Sequence, residues 1–327
     1  MSPVANAGGW RSPLVMASER LPWICKDPAS QRLLDLAERV APVPTTVLIT
    51  GERGSGKDYL ARLIHELGPR RDTPYIKIEC ESLPPPLLES ELFGHERGAF
   101  PGAAERKPGR FELDAKSTIV LDEVAALTAS TQARLLRVME ERVFERLGGK
   151  EHLRFEARII ALTSADLAMA VKEGRFREDL YYRLDLVKIW MPPLRERRAD
   201  ILALAEHLLA GMGPTHGRPK IRLSEPAKGV LEKYRWPGNV RELRDTLKGA
   251  VICGQGEMLE AEHLPGHMRA NLDGNRPEAG SRSLEDVERE AIEATLKATR
   301  NQIGRSAKIL GISRKTLLEK RKKYGWV

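Results

Sequence analysis

GERGSGK (51–57) has the spacing G-x-x-x-x-G-K, and the chemistry of that spacing is phosphate binding. It follows the apolar run VLIT and precedes DYLARLIHEL, so a strand leads through a loop into a helix. In that setting Gly51, Gly54 and Gly56 let backbone N–H groups turn inward around the phosphates. Glu52, Arg53 and Ser55 complete the loop, Lys57 reaches the β- and γ-phosphates, and the helix N-terminus adds its dipole. Asp58 follows, where many such loops carry a Ser or Thr for magnesium. Glycine-rich loops also occur by chance; the strand–loop–helix context separates this one from them.

TIVLDE (118–123) is the natural partner of that loop. An apolar strand ending in two carboxylates puts Asp122 near magnesium and Glu123 near an attacking water. Many strands end in acidic turns, so this motif has meaning only beside a good phosphate loop. Together the two predict ATP and magnesium as cofactors.

Such residues need elements to position them. The β-rich runs TTVLIT (45–50), YIKIE (75–79), STIVLDE (117–123) and ARIIALTS (157–164) alternate with helical stretches such as DYLARLIHEL and STQARLLRVMEERV. That alternation predicts a parallel-sheet α/β domain over 23–193, after a flexible N-terminus at 1–22. A helical subdomain follows at 194–265, then a Gly-, Pro-, Asn- and Ser-rich linker at 266–283. A small all-α domain closes the chain at 284–327. A chain of 327 residues suits about two domains.

The net charge of +8 favours a polyanionic partner, although a solvated basic surface reads the same way. No apolar run nears the roughly 18 residues of a membrane helix, and the N-terminus lacks a secretory pattern. Cys25, Cys80 and Cys253 have neither disulfide nor metal spacing. A reduced, cytoplasmic location fits best, with no membrane partner.

Four further segments carry a resemblance: ELFGHERGAF (91–100), GRFREDLYYRL (174–184), PPLRERRADI (192–201) and WPGNVREL (236–243). In wording, order and spacing the chain resembles the sigma-54-dependent transcriptional activators, the bacterial enhancer-binding proteins, over about residues 21 to 327. The resemblance implies an AAA+ ATPase that assembles as a homo-oligomer, dimer to hexamer-type ring, with ATP sites between subunits. It puts Arg177 and Arg183 at arginine-finger positions, which neutralise charge developing on the γ-phosphate of a neighbour. Spacing alone would read them as part of an ordinary salt-bridged surface helix. Arg241 falls at the sensor II position, and Thr163 and Ser164 at sensor I.

Three positions depart from the family pattern. The loop that touches sigma-54 usually reads GAFTGA; here Gly98, Ala99, Phe100, Pro101, Gly102 and Ala103 read GAFPGA. Proline removes a hydroxyl and a backbone N–H and fixes φ near −65°. The family's Asn-Cys is Glu79-Cys80. An ionised Glu79 cannot donate to Glu123 as an amide would. Either the two carboxylates share a proton or repel, or Glu79 turns away and bonds elsewhere. Sensor I has Ser164 for Asn, a shorter group expected to weaken water positioning.

NQIGRSAKILGISRKTLLEKRKKYGW (301–326) resembles the family's Fis-type helix-turn-helix. Ser306 to Leu310 form the first helix, Gly311 makes the turn, and Ser313 caps the second helix. Ala307, Leu310, Ile312 and Leu317 have the spacing of a small core. Arg314, Lys315, Thr316, Glu319 and Lys320 fall on the recognition helix and predict double-stranded DNA as partner. Arg314, Lys315, Lys320, Arg321, Lys322 and Lys323 stand against the single acid Glu319, a footprint for phosphate contact. LEDVEREAIEATLKAT (284–299) is amphipathic and is expected to pair in a dimer, which would read a palindromic site.

The leading reading is an ATP-driven activator of sigma-54 RNA polymerase holoenzyme. The alternative is a sigma-54-independent regulator whose assembly is set by nucleotide or another ligand, which Pro101, Glu79 and Ser164 favour. A metabolic P-loop enzyme leaves the helix-turn-helix and WPGNVREL unexplained. No receiver or ligand-sensing domain is expected ahead of the AAA+ module, so control would act in trans, by expression, or through the module itself.

Overall fold

The computed structural model describes residues 23–113, 116–270 and 302–324, with single positions at 289, 292, 295, 296, 299 and 326. It divides at Met268 into two compact units. The expected flexible N-terminus, 1–22, lies outside the described residues.

The larger unit begins with α1 (Pro28–Val40), capped by Asp27, whose carboxylate accepts the Ala29 N–H at 2.9 Å. Proline at the first helical position loses no bond, because that N–H has no intrahelical partner. β1 (Val47–Thr50), α2 (Lys57–Leu67), β2 (Tyr75–Glu79) and α3 (Pro85–Phe93) follow. β3 (Gly94–His95) and β4 (Lys107–Pro108) form a short antiparallel ladder around a surface loop. Then come α4 (Arg110–Leu113), β5 (Thr118–Asp122), α5 (Ala129–Glu141) and a second short pair, β6 (Val143–Phe144) with β7 (Leu153–Arg154). β8 (Arg158–Thr163), α6 (Leu167–Lys172), α7 (Glu178–Leu184) and β9 (Lys188–Trp190) complete the α/β part.

The sheet runs β2-β5-β8-β1-β9, with all pairings parallel. Helices cover both faces, so the central strands β1, β5 and β8 are buried along nearly their whole length instead of alternating; every residue of β8 is buried, whereas the edge strands β2 and β9 carry exposed residues. Leu48, Ile49, Ile119, Leu121, Ile160 and Leu162 are fully buried, each worth roughly 1.5–3 kcal/mol relative to exposure. The expected α/β class holds. The fifth strand, β9, was not expected: its three residues are too short to carry a periodic signal.

The helical subdomain, which closes over the phosphate loop as a lid, comprises α8 (Ala199–Met212), β10 (Arg222–Leu223), α9 (Glu225–Lys233), α10 (Asn239–Cys253), β11 (Met258–Leu259) and α11 (Gly266–Ala270). β10 and β11 pair in parallel within a segment expected to be helical. Buried Asp200 of α8 ties the lid to the start of α1: its Oδ1 accepts the N–H groups of Lys26 and Asp27, at 2.6 and 2.8 Å. Residues 266–270, expected to open the linker, are helical instead. Met268 is buried in the lid core with Trp236, Leu243 and Leu247, and apolar burial outweighs the flanking Gly and Pro. Residues 271–283 lie outside the described residues.

The smaller unit contains α12 (Ile303–Ile309) and α13 (Arg314–Lys323). α12 starts three residues ahead of the expected Ser306. Ile292, Leu296, Ala307 and Leu317 form its core, with Ile303, Leu310, Ile312, Tyr324 and Trp326 against it. The expected dimerising stretch 284–299 falls mostly outside the described residues. Of that stretch, Ile292 and Leu296 pack into this unit's own core. Among the described residues, no helix is long and apolar enough to cross a membrane.

Candidate functional site

The phosphate loop joins β1 to α2 outside the carboxyl ends of the strands, where open α/β sheets leave a crevice. Gly54 has φ of +73°, and a Cβ there would lie 2.5 Å from the Gly238 carbonyl oxygen. Only glycine permits so close an approach between loop and lid. The Val240 N–H donates to the Gly54 carbonyl at 3.0 Å. Asn239 Nδ2 donates to Glu52 Oε2 and to the Arg53 carbonyl, each at 3.1 Å, while its Oδ1 accepts the Leu194 N–H at 2.7 Å. Arg195 adds a bidentate pair to Glu52 at 2.6 and 2.8 Å. Arg195 first, then Asn239, draws the Glu52 carboxyl from its ordinary 4.5 down to about 2.

Sequence reasoning missed Asn239 and Arg195 as site residues, although both lie inside the quoted motifs. Trp236 and Asn239 have φ of +52° and +55°, left-handed values that cost of order 1 kcal/mol or more for non-glycine residues. The buried Trp236 ring and the Asn239 bonds hold that turn where it meets the loop.

Lys57 is buried, and its Nζ donates to the Gly51 and Glu52 carbonyls at 2.8 and 3.2 Å. It lies 3.7 Å from Glu123 Oε1. Burial lowers its pKa, against the pull of Glu123 and Asp122. Arg197, also missed, donates to the Ser55 carbonyl. The Ser55 hydroxyl is buried without a hydrogen-bond partner. An unmet buried donor costs about 1–3 kcal/mol, which an anionic oxygen in the loop would relieve. On that ground the residues present fit a polyphosphate.

Glu123 has φ of +54°. Its Oε2 accepts both the Ser164 N–H at 2.8 Å and the Ser164 hydroxyl at 2.9 Å. The shorter sensor I side chain therefore grips the catalytic candidate directly. Thr163 is buried, its hydroxyl accepting the Ala165 N–H at 3.1 Å. Glu79 does not meet Glu123; its side chain is 61% exposed and lies 3.6 Å from Lys77 Nζ. Of the two readings left open for Glu79, turning away is the one adopted.

Lys77 Nζ also pairs with Asp122 Oδ2 at 2.9 Å and with Asp58 Oδ2 at 3.5 Å. Nothing in YIKIE marks this lysine. Its place follows from the β2–β5 register, in which Glu79 lies opposite Asp122. Among the described residues, no three His, Cys, Asp or Glu side chains form a metal cage. A divalent ion on Asp122 and Asp58 would therefore complete its shell with phosphate oxygens and water, as magnesium commonly does.

A cavity of about 440 Å³ opens here, lined by Glu52, Arg53, Gly54, Ser164, Gly238 and Arg241. It joins the phosphate loop, sensor I and sensor II positions. Arg177 and Arg183 are not drawn into it. Arg177 stands at the N-cap position of α7 and pairs with Asp179 at 2.7 Å, and Arg183 donates to the Met139 carbonyl at 3.0 Å.

Gly98 to Ala103 lie in the loop between β3 and β4; Gly98, Pro101 and Gly102 are exposed, Ala99 and Phe100 half-buried and Ala103 buried. The Ala103 N–H donates to the Phe100 carbonyl at 3.0 Å, and Gly102 has φ of +102°. Proline second and a positive-φ glycine third is the sequence chemistry of a type II turn. Pro101 therefore suits this backbone, and the N–H it lacks leaves no bond unmade within the turn. The Phe100 ring lies 5.0 Å from His95. Below the loop, Arg146 is 2% exposed and bridges Glu112, Glu96 and Glu151 at 2.6, 2.8 and 2.8 Å.

In the smaller unit, Gly311 takes φ of +66° and Ser313 accepts the Thr316 N–H at 3.0 Å. Arg314, Lys315 and Glu319 are exposed; Thr316 and Lys320 are half-buried. The Thr316 hydroxyl bonds to Ser313 Oγ at 2.8 Å, so it is engaged in the cap.

The sequence matches the Sigma-54 interaction domain over residues 23–190, an AAA+ ATPase lid domain over 195–281, and the bacterial regulatory protein, Fis family, over 283–324. It is 40% identical to the transcriptional regulatory protein FlbD of Caulobacter vibrioides, covering 94% of this chain and 71% of that one. It is 41% identical to the regulatory protein AtoC of Escherichia coli, with 92% of this chain and 65% of that one covered. Crystal structures of NtrX from Brucella abortus in complex with ADP and with ATP are also similar. Each has a TM-score of 0.71 and 32% identity, covering 92% and 94% of this chain and 69% and 70% of theirs.

Proposed function

The chain belongs to the sigma-54-dependent activator family, and from that premise we propose that it is an ATP-driven, DNA-binding regulator of sigma-54 transcription. One observation carries this reading: a single cavity is lined by the phosphate loop, by Ser164 and by Arg241 of the lid. A nucleotide there would touch all three and report its state to each.

In this reading Lys57 leaves its own loop carbonyls for the β- and γ-phosphates. Glu123, gripped at Oε2 by Ser164, offers Oε1 to the attacking water. Asp122 and Asp58 would hold magnesium, whose charge offsets that of the phosphates when bound. Arg183 and Arg177, engaged away from their own phosphate loop, serve the site of a neighbouring subunit in a ring. Arg314, Lys315, Glu319 and Lys320 read double-stranded DNA at a palindromic site, with Thr316 supporting the helix start. In this reading the module boundaries follow the three matched segments, 23–190, 195–281 and 283–324.

Subunit mixing tests the ring. Lys57→Ala and Arg183→Ala subunits should each be inactive alone, and their mixture should recover ATP hydrolysis at interfaces that keep both groups. A wild type that hydrolyses ATP while the mixture recovers nothing removes the trans assignment.

A second reading is favoured by Pro101: a regulator independent of sigma-54, in which nucleotide controls assembly. Open-complex formation on a promoter bearing the protein's own site distinguishes the two, comparing sigma-54 holoenzyme with the main holoenzyme, with and without ATP. Opening by the main holoenzyme alone selects the second reading.

A further inference from the structure

The ammonium of Lys77 lies among three carboxylates at the mouth of the phosphate loop. Asp122 Oδ2 is 2.9 Å away, Asp58 Oδ2 3.5 Å and Glu79 Oε1 3.6 Å. Lys57, the other lysine of the site, pairs instead with Glu123. The two cations are thus divided: one for the phosphate loop and its glutamate, one for the aspartates. Lys77 gets there because β2 and β5 are adjacent and parallel, so its stem runs up the sheet face toward the carboxyl ends. Its side chain is 28% exposed, and Tyr75, two residues earlier, extends its hydroxyl to within 3.4 Å of Asp58 Oδ1.

We propose that Lys77 is a built-in cation on the aspartate pair Asp58–Asp122, competing with the divalent ion for these oxygens. The proposal rests on the nucleotide-site reading above. The physical reason is that a carboxylate oxygen bonded to an ammonium at 2.9 Å must lose that partner before it can enter a metal shell. Each loading of metal therefore displaces Lys77 toward Glu79, whose exposed carboxylate is the remaining partner within reach. Divalent-ion affinity is set by this exchange, and Lys77 is the residue that tunes it.

The test uses the full chain with ADP and Mn²⁺ as probe, free and bound metal being counted by electron paramagnetic resonance. Removing one charge at roughly 3–4 Å in a partly solvated site should tighten Mn²⁺ binding about five- to tenfold in Lys77→Met. Lys77→Arg, which keeps the charge, should bind Mn²⁺ no more tightly than wild type. If Lys77→Met does not fold, Lys77→Gln carries the same expectation. Equal or weaker Mn²⁺ binding by the neutral variant overturns the proposal. Wild-type protein that binds no ADP at all defeats the nucleotide-site reading instead, so the two failures are distinct.

Discussion

Ser164 holds the carboxylate of Glu123 from two donors at once, its backbone N–H at 2.8 Å and its hydroxyl at 2.9 Å, both on Oε2. Oε1 remains on the side of Lys57. If Glu123 activates water, Ser164 is its positioning residue. Ser164→Ala keeps the N–H and loses the hydroxyl, one hydrogen bond to a charged group, worth about 1.5 kcal/mol. We expect kcat for ATP hydrolysis to fall about tenfold with nucleotide affinity unchanged, and Ser164→Thr to recover most of it. A matching loss of affinity, or no rescue by threonine, would assign the serine a merely structural role.

Glu79 is exposed and forms an ion pair with Lys77, at 3.6 Å, instead of meeting Glu123. Glu79→Gln should therefore change ATP turnover by less than about threefold, since an exposed pair of this kind is worth under about 1 kcal/mol. A tenfold change in steady-state hydrolysis would show that the side chain swings inward during the cycle.

Pro101 and Gly102 occupy the central positions of a type II turn. Pro101→Thr should cost less than about 1 kcal/mol in the folded state while loosening the tip. Faster proteolytic nicking within 98–103 at unchanged melting temperature is the expected signature. Gly102→Ala forces a Cβ into φ of +102°, at a cost of about 1–3 kcal/mol to the turn. It should lose sigma-54 promoter opening while keeping ATP binding; opening at wild-type rates would mean that the turn geometry is not what sigma-54 reads.

Glu52 links the phosphate loop to the lid, and its folded-state carboxyl is lowered to about 2 by Arg195 and Asn239. A depressed carboxylate contributes stability that is present above its unfolded value, near 4.5, and lost as pH falls toward 2. The melting-temperature gap between wild type and Glu52→Gln should thus be largest above about pH 4.5 and shrink below it. A gap that is constant from pH 7 to 3 would detach the effect from this carboxylate.

At the DNA end, Ser313→Ala should cost the smaller unit about 1 kcal/mol by removing the cap to Thr316. Arg314→Ala and Lys315→Ala should lower discrimination between operator and random DNA, by roughly 1–3 kcal/mol for each side chain that reads a base edge. Lys322→Ala should weaken both alike and reduce the salt slope of binding by about 1. Equal weakening on both DNAs for Arg314→Ala would reassign it to the phosphate backbone.

The chain alone determined the parallel α/β class, the phosphate loop, the acidic strand end and the second helix of the turn motif. Each of these is local: contiguous residues supply the chemistry, and periodicity or a cap residue signals the element. It marked Glu79 and Ser164 as departures but could not say what they do. Only the tertiary structure decided that Ser164 grips Glu123, 41 residues away, and that Asn239 holds Glu52 across 187. Lys77 had no signal at all, because its partners are chosen by strand register and by the approach of α2. Pro101 read as a loss when only the missing donor could be seen. The turn hydrogen bond and the positive φ of Gly102 make it a fit, since the cost of a proline depends on the backbone around it and not on the residue it replaces.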